Sequence, residues 1–190
     1  YHDNNKTGGR KDASYSAKIP LLQRQFPTGD RPNIWQGELL HENYNIISNP
    51  EVTLEINPDT IDKDKMMSLK RLGVNRMSVG IQSFNDDDLR YLGRRHDSRH
   101  ALQVLDDLSG VGFDRITLDL IYGMPTLTEE KWNHNLDIFF STGISHLSAY
   151  ALTVEPKTIL GQKIEKEELQ EVSEEETIRH YNILVERTKE

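Results

Sequence analysis

The 190-residue chain has no cysteine. That absence excludes disulfides, thiolate nucleophiles and any zinc or iron–sulfur site whose sulfur ligands come from these residues. Long apolar runs are missing too, so nothing reads as a bilayer-spanning segment or a signal peptide. Positive charge is scarce: 23 Lys and Arg against 31 Asp and Glu leave a net charge of -8. Phosphate backbones want clustered cations, so nucleic acid is not an expected partner. With 35% hydrophobic and 28% charged residues, the expectation is a soluble, cytoplasmic protein long enough for one substantial core.

The first 37 residues carry the weakest pattern and are expected to be an irregular N-terminal segment. Thr7-Gly8-Gly9 resembles a phosphate-cradling turn only superficially, because no strand precedes it and no Lys-Ser/Thr pair follows. Ile19-Pro20-Leu21-Leu22 and Phe26-Pro27 are apolar but interrupted by proline. Trp35 to Tyr44 predicts a helix with Trp35, Leu39 and Leu40 on one face.

From Asn49 the periodicity sharpens. Alternating, β-branched runs at 51–56, 76–81, 115–121 and 146–152 predict four strands. Between them lie helical patterns. One runs from a cap at Thr60 or Asp62 to about Leu72, with Met66, Met67, Leu69 and Leu72 inward. A short one follows Asn85 and closes at Gly93. The next follows Ser98, with Ala101, Leu102, Val104, Leu105 and Leu108 as its stripe, and ends at Gly110 and Gly112. Another starts near Thr128 and ends at Gly143. Ser173 caps a last helix whose apolar stripe is Ile178, Tyr181, Ile183, Leu184 and Val185. Strand starts spaced by βα-unit lengths, with no hairpin signal, predict an α/β fold: a parallel sheet, curved or barrel-like, with helices outside. The core is expected over 38–160, and a charged loop and C-terminal helix over 161–190.

Each strand carries a polar residue where a packed core favours an apolar one. Glu55 lies in the first, Gln82 ends the second, Asp119 lies in the third, and Ser148, Tyr150 and Thr153 mark the fourth. Burying a carboxylate such as Asp119 among Leu118, Leu120 and Ile121 is costly unless something pairs with it. A structural hydrogen bond explains any one of these residues. Four at one sheet edge favour a ligand site, because parallel sheets bind ligands at their carboxyl ends. Arg94 and Arg95 read either as a solvated pair beside Asp86, Asp87 and Asp88 or as a carboxylate clamp, with Arg94 the better placed. His96 and His100 read as a surface pair, since no third metal ligand is near in sequence.

Five stretches carry a resemblance: EVTLEINP (51–58), NRMSVGIQSFN (75–85), LGRRH (92–96), DLIYGMP (119–125) and HLSAY (146–150). Together they resemble the oxygen-independent coproporphyrinogen oxidase family of radical S-adenosyl-L-methionine (SAM) proteins, above all its HemW-like heme chaperone branch, over about 40–188. The resemblance implies a partial six-stranded parallel βα barrel, incomplete in this chain, with SAM across the strand ends. By that similarity Glu55 meets the SAM amino group or ribose region, Gln82 and Asp119 contact ribose or neighbouring polar atoms, and Arg94 pairs with the SAM carboxylate. The backbone near Thr153 flanks the adenine. The family's CxxxCxxC loop and GGGTP segment are absent, so a 4Fe-4S cluster and heme are expected only for an intact, longer protein, and no radical chemistry is expected from this chain alone.

The resemblance leaves three functions open. One is a heme chaperone that takes heme or a porphyrin and has a heme-receiving protein as partner. The second is a coproporphyrinogen oxidase that decarboxylates propionates, and the third is a cluster-less binding module.

Overall fold

A computed structural model describes residues 48–155, 157–169 and 172–189. The readings made for the first 47 residues, including the Gly8-Gly9 turn and the Trp35 helix, lie outside the described residues. The elements run β1 (Thr53–Ile56), α1 (Lys63–Arg71), β2 (Arg76–Gln82), α2 (Asp86–Tyr91), α3 (Ser98–Val111), β3 (Ile116–Tyr122), α4 (Glu129–Ser141), β4 (His146–Ala151), α5 (Ile159–Glu165) and α6 (Glu174–Arg187). A 3-10 turn at Pro58–Thr60 follows β1.

The four strands form one parallel sheet in the order β1-β2-β3-β4, and the sheet is open. Sequential order with helical crossovers of one hand puts the helices on one face, as in a barrel wall. The strand side chains divide accordingly. Leu54, Ile56, Met77, Val79, Ile81, Ile116, Leu118 and Leu120 point to the helices and are buried. Met66, Val104, Leu108, Trp132, Leu136 and Phe139 meet them from the helical side. Full burial of each such large side chain contributes about 1.5–3 kcal/mol, so this single layer is the main source of stability.

Helix starts follow local chemistry. Asp62, Thr128 and Ser173 each accept a backbone N–H of the first turn with the side chain, as the sequence predicts. The start of α3 differs: Asp97, rather than Ser98, is the cap and accepts the His100 N–H at 2.7 Å. Asn85 precedes α2 but makes no side-chain cap; its amide reaches Asn135 instead. The end of α3 also differs. Gly110 stays inside the helix, and Gly112 stops it in the left-handed conformation, φ +88°.

Helical periodicity overstated several buried faces. Met67, Leu72, Leu102, Ile178 and Tyr181 are exposed. On α6 the buried residue is His180, whose Nδ1 accepts the Gly123 N–H at 3.3 Å. The indole of Trp132 donates to the His180 carbonyl at 2.9 Å. These bonds tie α6 to α4 and to the carboxyl end of β3. Among the described residues no helix is long and apolar enough to cross a membrane.

Candidate functional site

The face of the sheet opposite the helices is polar. Register places Glu55 beside Ser78, Ser78 beside Thr117, and Asp119 beside Ser148. Side chains alternate along a strand, so these residues share one face. Arg76 closes its amino end: the guanidinium bonds Glu51 and Thr117, each at 3.1 Å. Asp119 lies further toward the carboxyl end and is half-buried. The Ser78 hydroxyl donates to its carboxylate, 3.0 Å from Oδ2. Burial pushes the Asp119 carboxyl above its usual range, the hydroxyls of Ser78 and Ser148 pull it back, and the negative charge of Glu55 pushes it up again.

At the mouth the backbone becomes irregular. The β2–β3 register slips between Val79 and Gln82. Gln82 has φ +72°, a left-handed conformation that costs a non-glycine residue about 1 kcal/mol or more. Its side chain folds back over Gly80. A Cβ on Gly80 would sit 2.6 Å from Gln82 Nε2 and 2.9 Å from Asn57 Oδ1, so glycine is what leaves both amides room. Asn57 Oδ1 also accepts from Arg94 Nη1 at 3.0 Å. Asn57 therefore links the mouth of β1 to the loop after α2, with Gln82 alongside. Burial lowers the affinity of Arg94 for its proton, and Asp59 opposes that. An anion that pairs with Arg94 would compensate a guanidinium that has already lost part of its hydration.

The loop leaving Gln82 is locked from behind. The Ser83 hydroxyl donates to Asp88 at 2.8 Å and accepts from the Asn135 amide at 3.1 Å. Thr126 donates to the other Asp88 oxygen at 2.6 Å, and Asn135 Oδ1 accepts the Phe84 N–H at 2.9 Å. Asp88 and Asn135 are fully buried, so this network fixes α2 and the loop at its start rather than facing solvent.

Of the residues singled out in the sequence, Gln82 and Arg94 meet through Asn57 and the bare backbone of Gly80. Glu55 and Asp119 share the polar face below them. Thr153 lies two residues past β4, exposed. Arg94 and Arg95 are not partnered with Asp86, Asp87 and Asp88; Arg94 bonds Asn57 and Arg95 sits 3.9 Å from Asp59. His96 is not a surface residue: it is 4% exposed. Sequence reading missed Asn57 and Ser78 as participants. The signal for Asn57 was available, since a polar residue directly after a strand and before proline occupies a mouth position. A cavity of about 210 Å³ also lies between α6 and the strand ends, lined by Gly123, Leu152, Val154 and Thr177 among others.

An open parallel sheet in sequential order, with polar side chains at its carboxyl ends, defines a partial βα-barrel protein. The chain belongs to the Radical SAM superfamily, whose profile matches residues 24–138. It is 35% identical over 135 residues to the heme chaperone HemW of Bacillus subtilis, covering 71% of this chain and 36% of that protein. It is 36% identical over 118 residues to the HemW of Escherichia coli, covering 62% and 31%. Its fold matches the solved coproporphyrinogen III oxidase HemN of Escherichia coli with a TM-score of 0.67 and 27% identity, covering 78% of this chain and 34% of that one. The chain thus spans about a third of the length of these relatives. It is a HemW/HemN-like radical SAM protein whose sheet, with four strands among the described residues, is not closed.

The residues at the mouth fit SAM: a partly desolvated guanidinium suits its carboxylate, carboxylates suit its ammonium and ribose hydroxyls, and a side-chain-free backbone at Gly80 admits close approach. A 4Fe-4S cluster does not fit this set of residues, because the sequence contains no cysteine.

Proposed function

We propose that the polar mouth of this sheet binds SAM as part of a HemW-like heme chaperone. The observation that carries this reading is the convergence of Arg94, Asn57 and Gln82 at the ends of β1 and β2, above the face that holds Glu55 and Asp119. In this reading Arg94 grips the SAM carboxylate with the guanidinium hydrogens that Asn57 leaves free. Glu55 accepts from the ammonium or ribose, Gln82 and Asp119 hold ribose hydroxyls or adjacent polar atoms, and the backbone at Thr153 flanks the adenine. SAM supplies a sulfonium; the chain's own residues orient it and exclude water from one side.

The cluster ligands, and with them any electron delivery, belong to the intact protein rather than to these residues. So do heme or porphyrin uptake and handover to a heme-receiving protein. A cytoplasmic setting is part of the same proposal. The second reading is coproporphyrinogen oxidation, favoured by the likeness to the solved oxidase.

Heme titration of the intact protein tests the choice. Stoichiometric, tight heme uptake without porphyrinogen turnover is the expected result. Turnover of coproporphyrinogen with SAM and a reductant, without heme uptake, would establish the oxidase instead.

A further inference from the structure

His96 has no role in the reading above, yet its surroundings are unusual. It lies in the loop between α2 and α3, two residues after Arg94, and its ring is buried. Nε2 is 3.1 Å from the Ile81 carbonyl. A carbonyl only accepts, so Nε2 carries the proton. Nδ1 is buried with no hydrogen-bond partner. A residue present only to fill space would avoid that orphaned atom, because an apolar side chain of similar size carries no such penalty.

What the histidine holds is the peptide just before Gln82. That peptide sits at the slip in the β2–β3 register, where pairing resumes only at Gln82 and Leu120 after the break from Val79. It also leads into the left-handed Gln82, φ +72°. The same loop is fastened at Arg94, whose Nη1 donates to Asn57 at 3.0 Å. One loop is therefore stapled twice, to the end of β1 through Arg94 and to the end of β2 through His96.

We propose that His96 is a positioning residue: through a neutral imidazole whose Nε2–H is donated to the Ile81 carbonyl, it sets the separation of Arg94 and Gln82 for their ligand. The proposal rests on the SAM reading of that mouth. Fixed separation matters because a carboxylate clamp and a ribose contact must engage one rigid ligand together, and misplacement of either loses both. Burial and the charges of Arg94 and His100 favour the neutral ring; the Ile81 carbonyl and Asp59 oppose them. A second cation beside Arg94 would be poorly solvated, and its Nδ1–H would find no acceptor.

The test uses the whole 190-residue chain, with SAM as the probe. Nitrogen-15 spectra of the histidine-labelled wild type are expected to show His96 as the Nε2–H tautomer at neutral pH. An Nδ1–H tautomer or an imidazolium there overturns the proposal, and no variant is needed for this measurement. Calorimetric titration with SAM then compares His96→Phe, which keeps the bulk, with His96→Gln, whose Nε2 restores a donor. Phenylalanine is expected to weaken SAM binding about tenfold, the scale of one buried hydrogen bond, with glutamine within about threefold of wild type. Unchanged affinity in His96→Phe, or equal loss in both variants, overturns it. If the wild type itself takes up no SAM, the ligand reading fails. The staple is then judged by hydrogen exchange at the Gln82 amide. Faster exchange in His96→Phe, restored by glutamine, upholds it, and equal rates in all three proteins overturn it.

Discussion

Replacing Asp119 by asparagine separates a carboxylate kept for a ligand from one kept for the fold. In the ligand-free chain the charged form of Asp119 is penalised first by burial and then by Glu55. Glu55 is level with Thr117 across β2, so Asp119 lies two strand spacings across and two residues along, and the charges are roughly 12 Å apart. At that distance Coulomb repulsion is about 0.3 kcal/mol in water and about 1.4 kcal/mol at an effective permittivity of 20. A half-buried site lies between these limits. Asparagine keeps an oxygen for the Ser78 hydroxyl, so the donated bond survives the change. Asp119→Asn is therefore expected to stabilise the ligand-free chain by about 1 kcal/mol, raising Tm by about 2–4 °C.

The pH dependence follows from the direction of the shift. The carboxyl is raised in the folded state, from its usual 3.8, so the folded chain holds its proton to higher pH than the unfolded one. Below that usual value both states are protonated and the two proteins should unfold alike. As pH rises toward the raised value the wild type loses stability relative to Asp119→Asn, and the gap then stays constant. The assay is urea unfolding of both proteins from acid to neutral pH, with SAM titration alongside. The variant should gain stability and lose SAM affinity together, a trade expected of ligand-facing groups. Destabilisation by more than about 1 kcal/mol at neutral pH, the typical net value of a hydrogen bond, would refute the reasoning and make Asp119 a structural acceptor.

Other substitutions probe the mouth and the helix behind it. Gly80→Ala would place a methyl 2.6 Å from Gln82 Nε2 and 2.9 Å from Asn57 Oδ1. Both are ends of flexible side chains, so denaturant unfolding should show a stability change below about 1 kcal/mol, while SAM binding weakens at least about tenfold. Arg94→Lys keeps the charge but loses the fork, and calorimetry is expected to show about tenfold weaker SAM binding with little change in Tm. Burial lowers the His180 pKa below its usual 6.5, with Glu176, Glu129 and Asp88 opposing and Arg179 assisting. Its stability contribution is therefore present above 6.5 and lost as pH falls through the depressed value. Protonation removes the Nδ1 lone pair that accepts Gly123 N–H, so α6 should loosen in acid. In a Trp35→Phe background Trp132 emission should then shift red, and His180→Gln should abolish that acid step.

The strands were legible because β-branched alternation and flanking Gly, Pro and Asn residues are local signals, and all four lie within two residues of where the pattern places them. Asp119 stood out as a candidate because a carboxylate inside an apolar run is conspicuous by itself. Its donor did not, since Ser78 is 41 residues away and only register brings the two together. The mouth position of Asn57 was readable from its place between strand and proline, but its bond to Arg94, 37 residues on, was not. His96 was misplaced because imidazole suits either water or a satisfied interior, and local pattern does not distinguish them. The exposed Met67, Leu72, Ile178 and Tyr181 show a further limit: periodicity identifies a helix face, whereas the sheet's extent decides how much of that face is covered.

The most direct measurement is a backbone amide shift map of the 190-residue chain titrated with SAM. The account predicts saturable shifts concentrated at Glu55, Asn57, Gly80 to Gln82, Arg94, Asp119 and Thr153, with α1 and α3 silent along their outer faces. Shifts confined to those outer faces, or none at millimolar SAM, would contradict it.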